Sequence, residues 1–207
     1  MKGKKIIGLT GLYAAGKNHV AGLLEKKGLA VLDADKLGYK VIETEKERIT
    51  SRFGSDVLGE DGQIDRKILG AKVFGRPKEL AALEDIIHPA VNRETLVWID
   101  SREKACVINA ALLHRSSAVD MLDAVIIVET PFLTRLLRAR KRDRLPWTVL
   151  LKRFQSQKEI NYQFYAEKTD IYRVSNSAKS KDSLCVNSSG EKLENRINEI
   201  LSLLGIT

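Results

Sequence analysis

The sequence predicts an α/β fold with a parallel sheet, on three observations. A short apolar run, Lys4-Lys5-Ile6-Ile7, leads into the glycine-bounded stretch Gly8-Leu9-Thr10-Gly11-Leu12-Tyr13-Ala14-Ala15-Gly16-Lys17-Asn18, and Val20-Ala21-Gly22-Leu23-Leu24 follows with helical spacing. Near-continuous apolar runs recur at Ala105-Cys106-Val107-Ile108-Asn109-Ala110 and Ala124-Val125-Ile126-Ile127-Val128, as strands covered on both faces should be. Helical patterns separate these runs.

Strand, glycine-bounded loop and helix are the context a phosphate-binding loop requires. Gly11 and Gly16 permit backbone angles that a side chain forbids, so successive N–H groups can turn inward around an anion. The helix start adds its positive dipole end, and Lys17 a compact charge. The GxxxxGK pattern is normally closed by Ser or Thr, whose hydroxyl binds Mg²⁺. Here the position is Asn18, whose amide oxygen is also a hard ligand. The competing reading is a chance glycine-rich turn, or a phosphate loop without catalysis.

The first helix is predicted over Lys17 to Lys27, with Gly28 as its stop. A second strand, Leu29-Ala30-Val31-Leu32, ends in Asp33-Ala34-Asp35. Two carboxylates at the carboxyl end of a parallel strand lie where such sheets bind ligands. One can accept from a substrate hydroxyl and the other can hold metal-bound water. Alternatively they cap the next helix.

Lys36 to Ser101 forms a helical insertion, with turns at Phe53-Gly54-Ser55-Asp56 and Glu60-Asp61-Gly62-Gln63. Short helices are predicted over Arg66 to Phe74 and Pro77 to Ile87, a break at His88-Pro89, and another helix to about Ile99. A lone histidine such as His88 is more often a structural hydrogen-bonder than a catalyst.

After the fourth strand, Glu129-Thr130-Pro131 reads as a helix start, with Thr130 as cap and Pro131 first in the helix. That helix carries Arg135, Arg138, Arg140, Lys141, Arg142 and Arg144 beside a single acid, Asp143. Cations so crowded repel one another without an anion, which favours ligand contact over a merely solvated face. A further helix runs from Val149 to about Gln157. Ser175 to Ser180 reads as an exposed loop, Ser183-Leu184-Cys185-Val186 as a fifth strand, Asn187-Ser188-Ser189-Gly190 as a turn, and Lys192 to Leu204 as a closing helix.

The chain has 207 residues, 43% of them hydrophobic, enough for one unit with a sizeable core and a subdomain. Its net charge of +8 suits an anionic partner. Because the cations concentrate in one ten-residue span, a phosphate-clamping lid fits better than a long nucleic-acid footprint. No apolar stretch approaches the roughly 18 residues of a membrane helix, and the N-terminal run is too short for a signal peptide. The expectation is a cytoplasmic protein without nucleic-acid or membrane partners. Cys106 and Cys185, each in an apolar run, read as buried free thiols. The absence of an NKxD segment argues against a regulatory GTPase.

Taken in order, these features resemble the dephospho-coenzyme A kinase family. The matching pieces are Gly8-Leu9-Thr10-Gly11 with Gly16-Lys17, Asp33-Ala34-Asp35, Phe53-Gly54, Asp61-Gly62-Gln63-Ile64-Asp65-Arg66 and Leu69-Gly70. Then come Phe74, Leu83-Glu84, Ile86-Ile87-His88-Pro89, Leu112-Leu113, Val125 to Val128, Arg138, Arg142 and Gln157, with a weaker echo at Asn187 to Gly190. The chain departs from the family pattern at Asn18, and at Ala111-Leu112-Leu113-His114-Arg115 where the family has Pro-Leu-Leu-Phe-Glu.

The resemblance implies a five-stranded parallel phosphate-loop kinase fold with a helical acceptor-binding insertion and an arginine-rich lid. It assigns the core to 1–35, 102–138 and 183–207, a coenzyme A-binding subdomain to 36–101, and the lid with an extra segment to 139–182. The implied reaction is ATP-dependent phosphorylation of the ribose 3′-hydroxyl of dephospho-coenzyme A, with Mg²⁺ as cofactor. Lys17 would grip the β- and γ-phosphates, Asp35 would accept from or orient the hydroxyl, and Arg142 would close from the lid. Residues Gly11, Leu12, Tyr13, Ala14, Ala15, Gly16, Lys17, Asn18 and His19, with Arg138 and Arg142, would bind ATP, and Asn18 the metal. Asp33, Asp35, Arg66 and His88 would bind the acceptor. A monomer or weak homo-oligomer is expected. Two alternatives stay open: a nucleotide- or coenzyme A-binding protein without turnover, and a nucleoside or nucleotide kinase of the same fold.

Overall fold

The structure, a computed structural model, describes residues 4–156, 165, 169–177 and 186–206, the side chains of 186–189 excepted. The chain divides into two compact units: Met1–Leu32, Arg102–Arg115 and Val119–Thr207 form one, Asp33–Ser101 and Ser116–Ala118 the other.

The first unit holds a five-stranded parallel sheet of β1 (Ile6–Gly11), β2 (Ala30–Asp33), β3 (Cys106–Asn109), β4 (Ala124–Glu129) and β5 (Asp170–Ser175), ordered β2-β3-β1-β4-β5. Every residue of the central β1 is buried, which is why Ile6 to Leu9 show no polar alternation, and the one polar side chain, Thr10, is buried with them. The register sets Leu9 beside Asn109 on one flank and Ile126 on the other. Cys106, inside this sheet, is a buried free thiol, and burial pushes its pKa up. Cys185 lies outside the described residues.

Helix α1 (Lys17–Lys26) lays Val20, Leu23 and Leu24 against Ile7, Leu9 and Val107. Full burial of such a side chain contributes about 1.5–3 kcal/mol. The helix ends as its sequence predicts. Gly28, at φ 84°, donates to the Glu25 carbonyl at 2.9 Å, and Leu29 N–H reaches back to Leu24 at 3.2 Å, closing the last turn.

The fifth strand is not where the sequence placed it. Asp170–Ser175 pairs in parallel with β4 along its whole length, whereas Val186 opens a helix that runs to Leu203 through the expected turn at 187–190; residues 183–185 lie outside the described set. At the edge of the sheet β5 buries only Val174, so its sequence shows no apolar run to find.

Two helices follow the sheet's later strands, α6 (Phe132–Asp143) and α7 (Trp147–Ser156); Gln157 is outside the described residues. The C-terminal α8 (Val186–Leu203) contributes Leu193, Ile197 and Ile200 to the core beneath β1.

The second unit is helical: α2 (Ala34–Thr44), α3 (Lys46–Phe53), α4 (Arg66–Val73) and α5 (Pro77–Asp100). Ile49, Phe53, Val57, Ile64, Leu69 and Val73 belong to its core. Asp65 caps α4, its Oδ1 accepting from Lys67 N–H at 2.7 Å and Ile68 N–H at 3.2 Å.

The expected break at His88-Pro89 does not occur, and α5 runs its 24 residues straight through it. An interior proline costs about 3 kcal/mol because it removes one i→i−4 bond and crowds the preceding turn. Leu83, Ile86, Ala90, Thr95 and Ile99 are buried on either side of it, and several such side chains at about 1.5–3 kcal/mol each outweigh that cost.

Candidate active site

Between Gly11 at the end of β1 and Lys17 at the start of α1, the residues Leu12 to Gly16 make one tight turn. Ala15 N–H donates to the Leu12 carbonyl at 3.0 Å, and His19 N–H to the Gly16 carbonyl at 3.0 Å. Gly16 caps the helix at φ 93° and ψ 31°, where a side chain is strained, and a Cβ there would run into Nδ2 of Asn176. Ala14 also has a left-handed φ, 60°, without being glycine.

The Ala15 carbonyl is the fixed point of the loop. Thr130 Oγ1 donates to it at 2.9 Å, Asn176 Nδ2 at 3.0 Å and Arg138 Nη1 at 3.5 Å. Thr130 follows β4 and Asn176 follows β5, so the sheet itself holds this peptide. Because the peptide is planar and trans, a carbonyl held on one side sends the Gly16 N–H to the other. Thr130 was expected to cap α6. It does not: Pro131 is the N-cap, no side chain caps the helix, and the hydroxyl lies among the Ala15, Glu129 and Asn176 carbonyls at 2.9, 2.8 and 3.0 Å.

Helix α6 brings its cations to this loop. Arg138, Lys141 and Arg142, spaced three and four apart, share one face. With Ala14 and Gly16 they line a cavity of about 310 Å³. Tyr13 binds the loop to the helix, its hydroxyl donating to Asp143 Oδ2 while Arg142 Cζ sits 5.3 Å from its ring centroid. Arg142 Nε donates to Asp143 Oδ1 at 2.6 Å. That bond, with Tyr13 as a second donor, holds the Asp143 carboxyl below the usual carboxylate range and raises the Arg142 guanidinium. Burial lowers the Arg138 pKa. Phe154 of α7 packs edge-on to Tyr13, with ring centroids 5.2 Å apart.

Lys17 and Asn18 occupy the first turn of α1. The Asn18 Oδ1 accepts from Asn109 Nδ2 at 3.1 Å, and Asn109, 2% exposed, keeps its own Oδ1 buried with no hydrogen-bond partner among the described residues. Amide oxygens suit a hard cation such as Mg²⁺, which takes one or two protein ligands and completes its shell with phosphates and water. The described residues hold no cluster of three or more His, Cys, Asp or Glu that would make a separate metal cage.

In the second unit, Asp33 caps α2: its Oδ1 accepts from Lys36 N–H at 3.0 Å and its Oδ2 pairs with Lys36 Nζ at 3.4 Å. Asp35 is exposed in the first turn of the same helix. Arg66 opens α4 with its Cζ 4.8 Å from the centroid of the Tyr39 ring. His88 is half-buried inside α5.

Comparison with known proteins decides the lineage. The sequence pattern of the dephospho-CoA kinase family matches residues 5–181. The chain belongs to the dephospho-CoA kinase family. A dephospho-CoA kinase of Shouchella clausii is 39% identical over 158 residues, 73% of this chain and 80% of that protein. A Thermus thermophilus protein of known structure superposes with a TM-score of 0.78 at 29% identity, covering 98% of this chain and 99% of its own. The solved dephospho-CoA kinase of Campylobacter jejuni has the same fold, with a TM-score of 0.62 at 24% identity over 95% of this chain and 97% of that one. Membership makes the chain a nucleotide-using phosphotransferase of coenzyme A synthesis.

The sequence reading names the loop, Arg138 and Arg142, which the structure brings to one pocket, and does not name Thr130, Asn176 and Asn109 as neighbours of the loop. Each ends or directly follows a strand at the carboxyl side, and that position in a parallel sheet is the signal that could have found them.

Proposed function

We propose that this chain transfers the γ-phosphoryl group of ATP to the ribose 3′-hydroxyl of dephospho-coenzyme A. The observation that carries the reading is the cavity in which the phosphate loop and three cations of α6 face one space. Phosphoryl transfer asks little covalent chemistry of a protein and much positioning and charge stabilisation, which cations gathered on one open pocket supply.

Lys17 holds the β- and γ-phosphates, and the Gly16 N–H, turned away from the Ala15 carbonyl, donates to them. Arg138 and Arg142 neutralise the charge that spreads over the transferred group. Asp35, just past the carboxyl end of β2, accepts the proton of the attacking hydroxyl or orients it. Asn18, in the first turn of α1, is the group that would hold Mg²⁺, which when bound supplies charge neutralisation at the phosphate oxygens. The helical segment 36–101, with Arg66 and His88, takes the coenzyme A end. A cytoplasmic monomer or weak homo-oligomer acting without nucleic acid completes the reading.

The test is direct: the purified chain with ATP, Mg²⁺ and dephospho-coenzyme A yields coenzyme A and ADP. Tight ATP binding with no phosphorylated acceptor under any divalent metal overturns it.

A further inference from the structure

The geometry points to Tyr13 as a positioning residue for Arg142, acting through the Asp143 carboxylate. The inference rests on the nucleotide-binding part of the proposed function, in which Arg142 meets the terminal phosphate, and not on the identity of the acceptor.

Tyr13 fills one of the unrestricted positions between the glycines of the phosphate-loop pattern, where the pattern asks for backbone alone. Here the position carries a ring and a hydroxyl, and both are engaged. The ring lies beside the Arg142 guanidinium, whose Cζ is 5.3 Å from its centroid, and meets Phe154 edge-on at 5.2 Å. The hydroxyl donates to Asp143 Oδ2 and accepts from Arg153 Nη1 of α7 at 3.5 Å. The Tyr13 carbonyl in turn accepts from Arg135 Nη1 at 3.5 Å. With its backbone and both parts of its side chain held, the tyrosine is a fixed reference for whatever touches it.

Consecutive residues of a helix do not face each other. Arg142 and Asp143 nonetheless meet edge to edge at the last turn of α6, Nε to Oδ1 at 2.6 Å and Nη2 to Oδ2 at 3.1 Å. Tyr13 supplies the outside hold that turns the carboxylate back toward its neighbour, and Arg153 Nη1 lies 3.8 Å from the same Oδ2. A guanidinium gripped along its Nε–Nη2 edge presents the opposite edge, with Nη1, in one direction. Arg142 lines the cavity with Ala14, Gly16, Arg138 and Lys141, so a guanidinium fixed there is a donor kept ready for an anion. A free arginine loses considerable rotamer freedom when it binds a phosphate, and prior fixing removes part of that loss. Because the fixing group belongs to the phosphate loop itself, loop and arginine keep a common frame.

The experiment titrates ATP and ADP separately into the full chain by calorimetry, with Mg²⁺ present throughout, and takes the ratio of their dissociation constants, which isolates contacts to the terminal phosphate. The parent prefers ATP. Tyr13→Phe keeps the ring and drops the hydroxyl, and its preference for ATP falls about tenfold, the scale of one hydrogen bond to a charged group. Arg142→Ala lowers the preference at least as far. In the double variant the tyrosine change adds nothing further, because its effect runs through the missing guanidinium. Losses that multiply in the double variant overturn the inference. So does a parent without the preference, a ratio that Arg142→Ala leaves unchanged, or a Tyr13→Phe variant that weakens both nucleotides equally or neither, since a merely loosened loop does not tell ATP from ADP. Should Arg142→Ala fail to fold, Arg142→Lys takes its place, keeping the charge without the planar fork. A parent that binds neither nucleotide ends the inference together with the reading beneath it, whereas binding of both without formation of coenzyme A overturns the proposed function alone.

Discussion

Asn176 donates its side-chain amide to the Ala15 carbonyl at 3.0 Å, joining residues 161 positions apart and tying the end of β5 to the phosphate loop. Asn176 is itself held, its N–H donating to the Glu129 carbonyl at 2.8 Å. A loop that must keep several N–H groups turned toward an anion gains from an anchor outside itself, because its own glycine would otherwise sample many conformations.

Truncating that anchor should therefore loosen the loop without unmaking the sheet. Asn176→Ala is expected to cost about 1 kcal/mol, lowering the melting temperature by about 2–4 °C, because Thr130 still satisfies the Ala15 carbonyl. ATP affinity should fall with it. A variant that melts earlier but binds ATP as tightly as the parent would show that Asn176 braces the fold and not the loop.

The two left-handed residues of the loop give opposite expectations. Gly16→Ala meets both an unfavourable φ and the Asn176 amide, so nucleotide binding should be lost, and removing Asn176 as well should not restore it. Ala14→Gly relieves about 1–2 kcal/mol of left-handed strain against about 0.5–1 kcal/mol of added chain entropy. A small net stabilisation, about 0.5 kcal/mol, should appear in urea denaturation.

What the sequence made legible follows burial. The central strands and the loop were readable because β1, β3 and β4 are covered on both faces and leave continuous apolar runs. The edge strand β5 and the unbroken α5 were not, because an edge strand carries little apolar signal and because Pro89 is tolerated through the tertiary burial of Leu83, Ile86, Ala90 and Ile99 on its own helix, which the local sequence does not announce. Among the site residues, Arg138 and Arg142 stood out as a charge cluster. Thr130, Asn109 and Asn176 are single polar residues whose partners lie from 91 to 161 positions away, and no local pattern encodes such pairings.

Lys17→Ala and Asp35→Asn separate binding from chemistry. The lysine variant should lose ATP affinity and turnover together. The aspartate variant should keep ATP affinity and lose turnover by about a hundredfold or more, the scale of a general-base contribution. Both side chains lie at helix starts outside the hydrophobic cores, so circular dichroism should match the parent. A near-normal kcat in Asp35→Asn removes its assigned role.

The acid limb of stability reports the Tyr13–Asp143–Arg142 junction. The Asp143 carboxyl is held below its ordinary value of 3.8, first by the hydrogen bond from Arg142. Below that value the unfolded chain binds a proton that the folded one resists, so the junction stabilises the fold above about pH 4 and loses its contribution as the pH falls further. Replacing the carboxylate tests this: Asp143→Asn should be less stable than the parent near neutral pH, by an amount that stays level down to about pH 4.5 and then shrinks. Urea unfolding of both proteins across that range measures the difference. A gap that stays constant to the lowest pH would mean that the Asp143 charge contributes nothing and that only packing around Tyr13 and Phe154 joins the loop to α6 and α7.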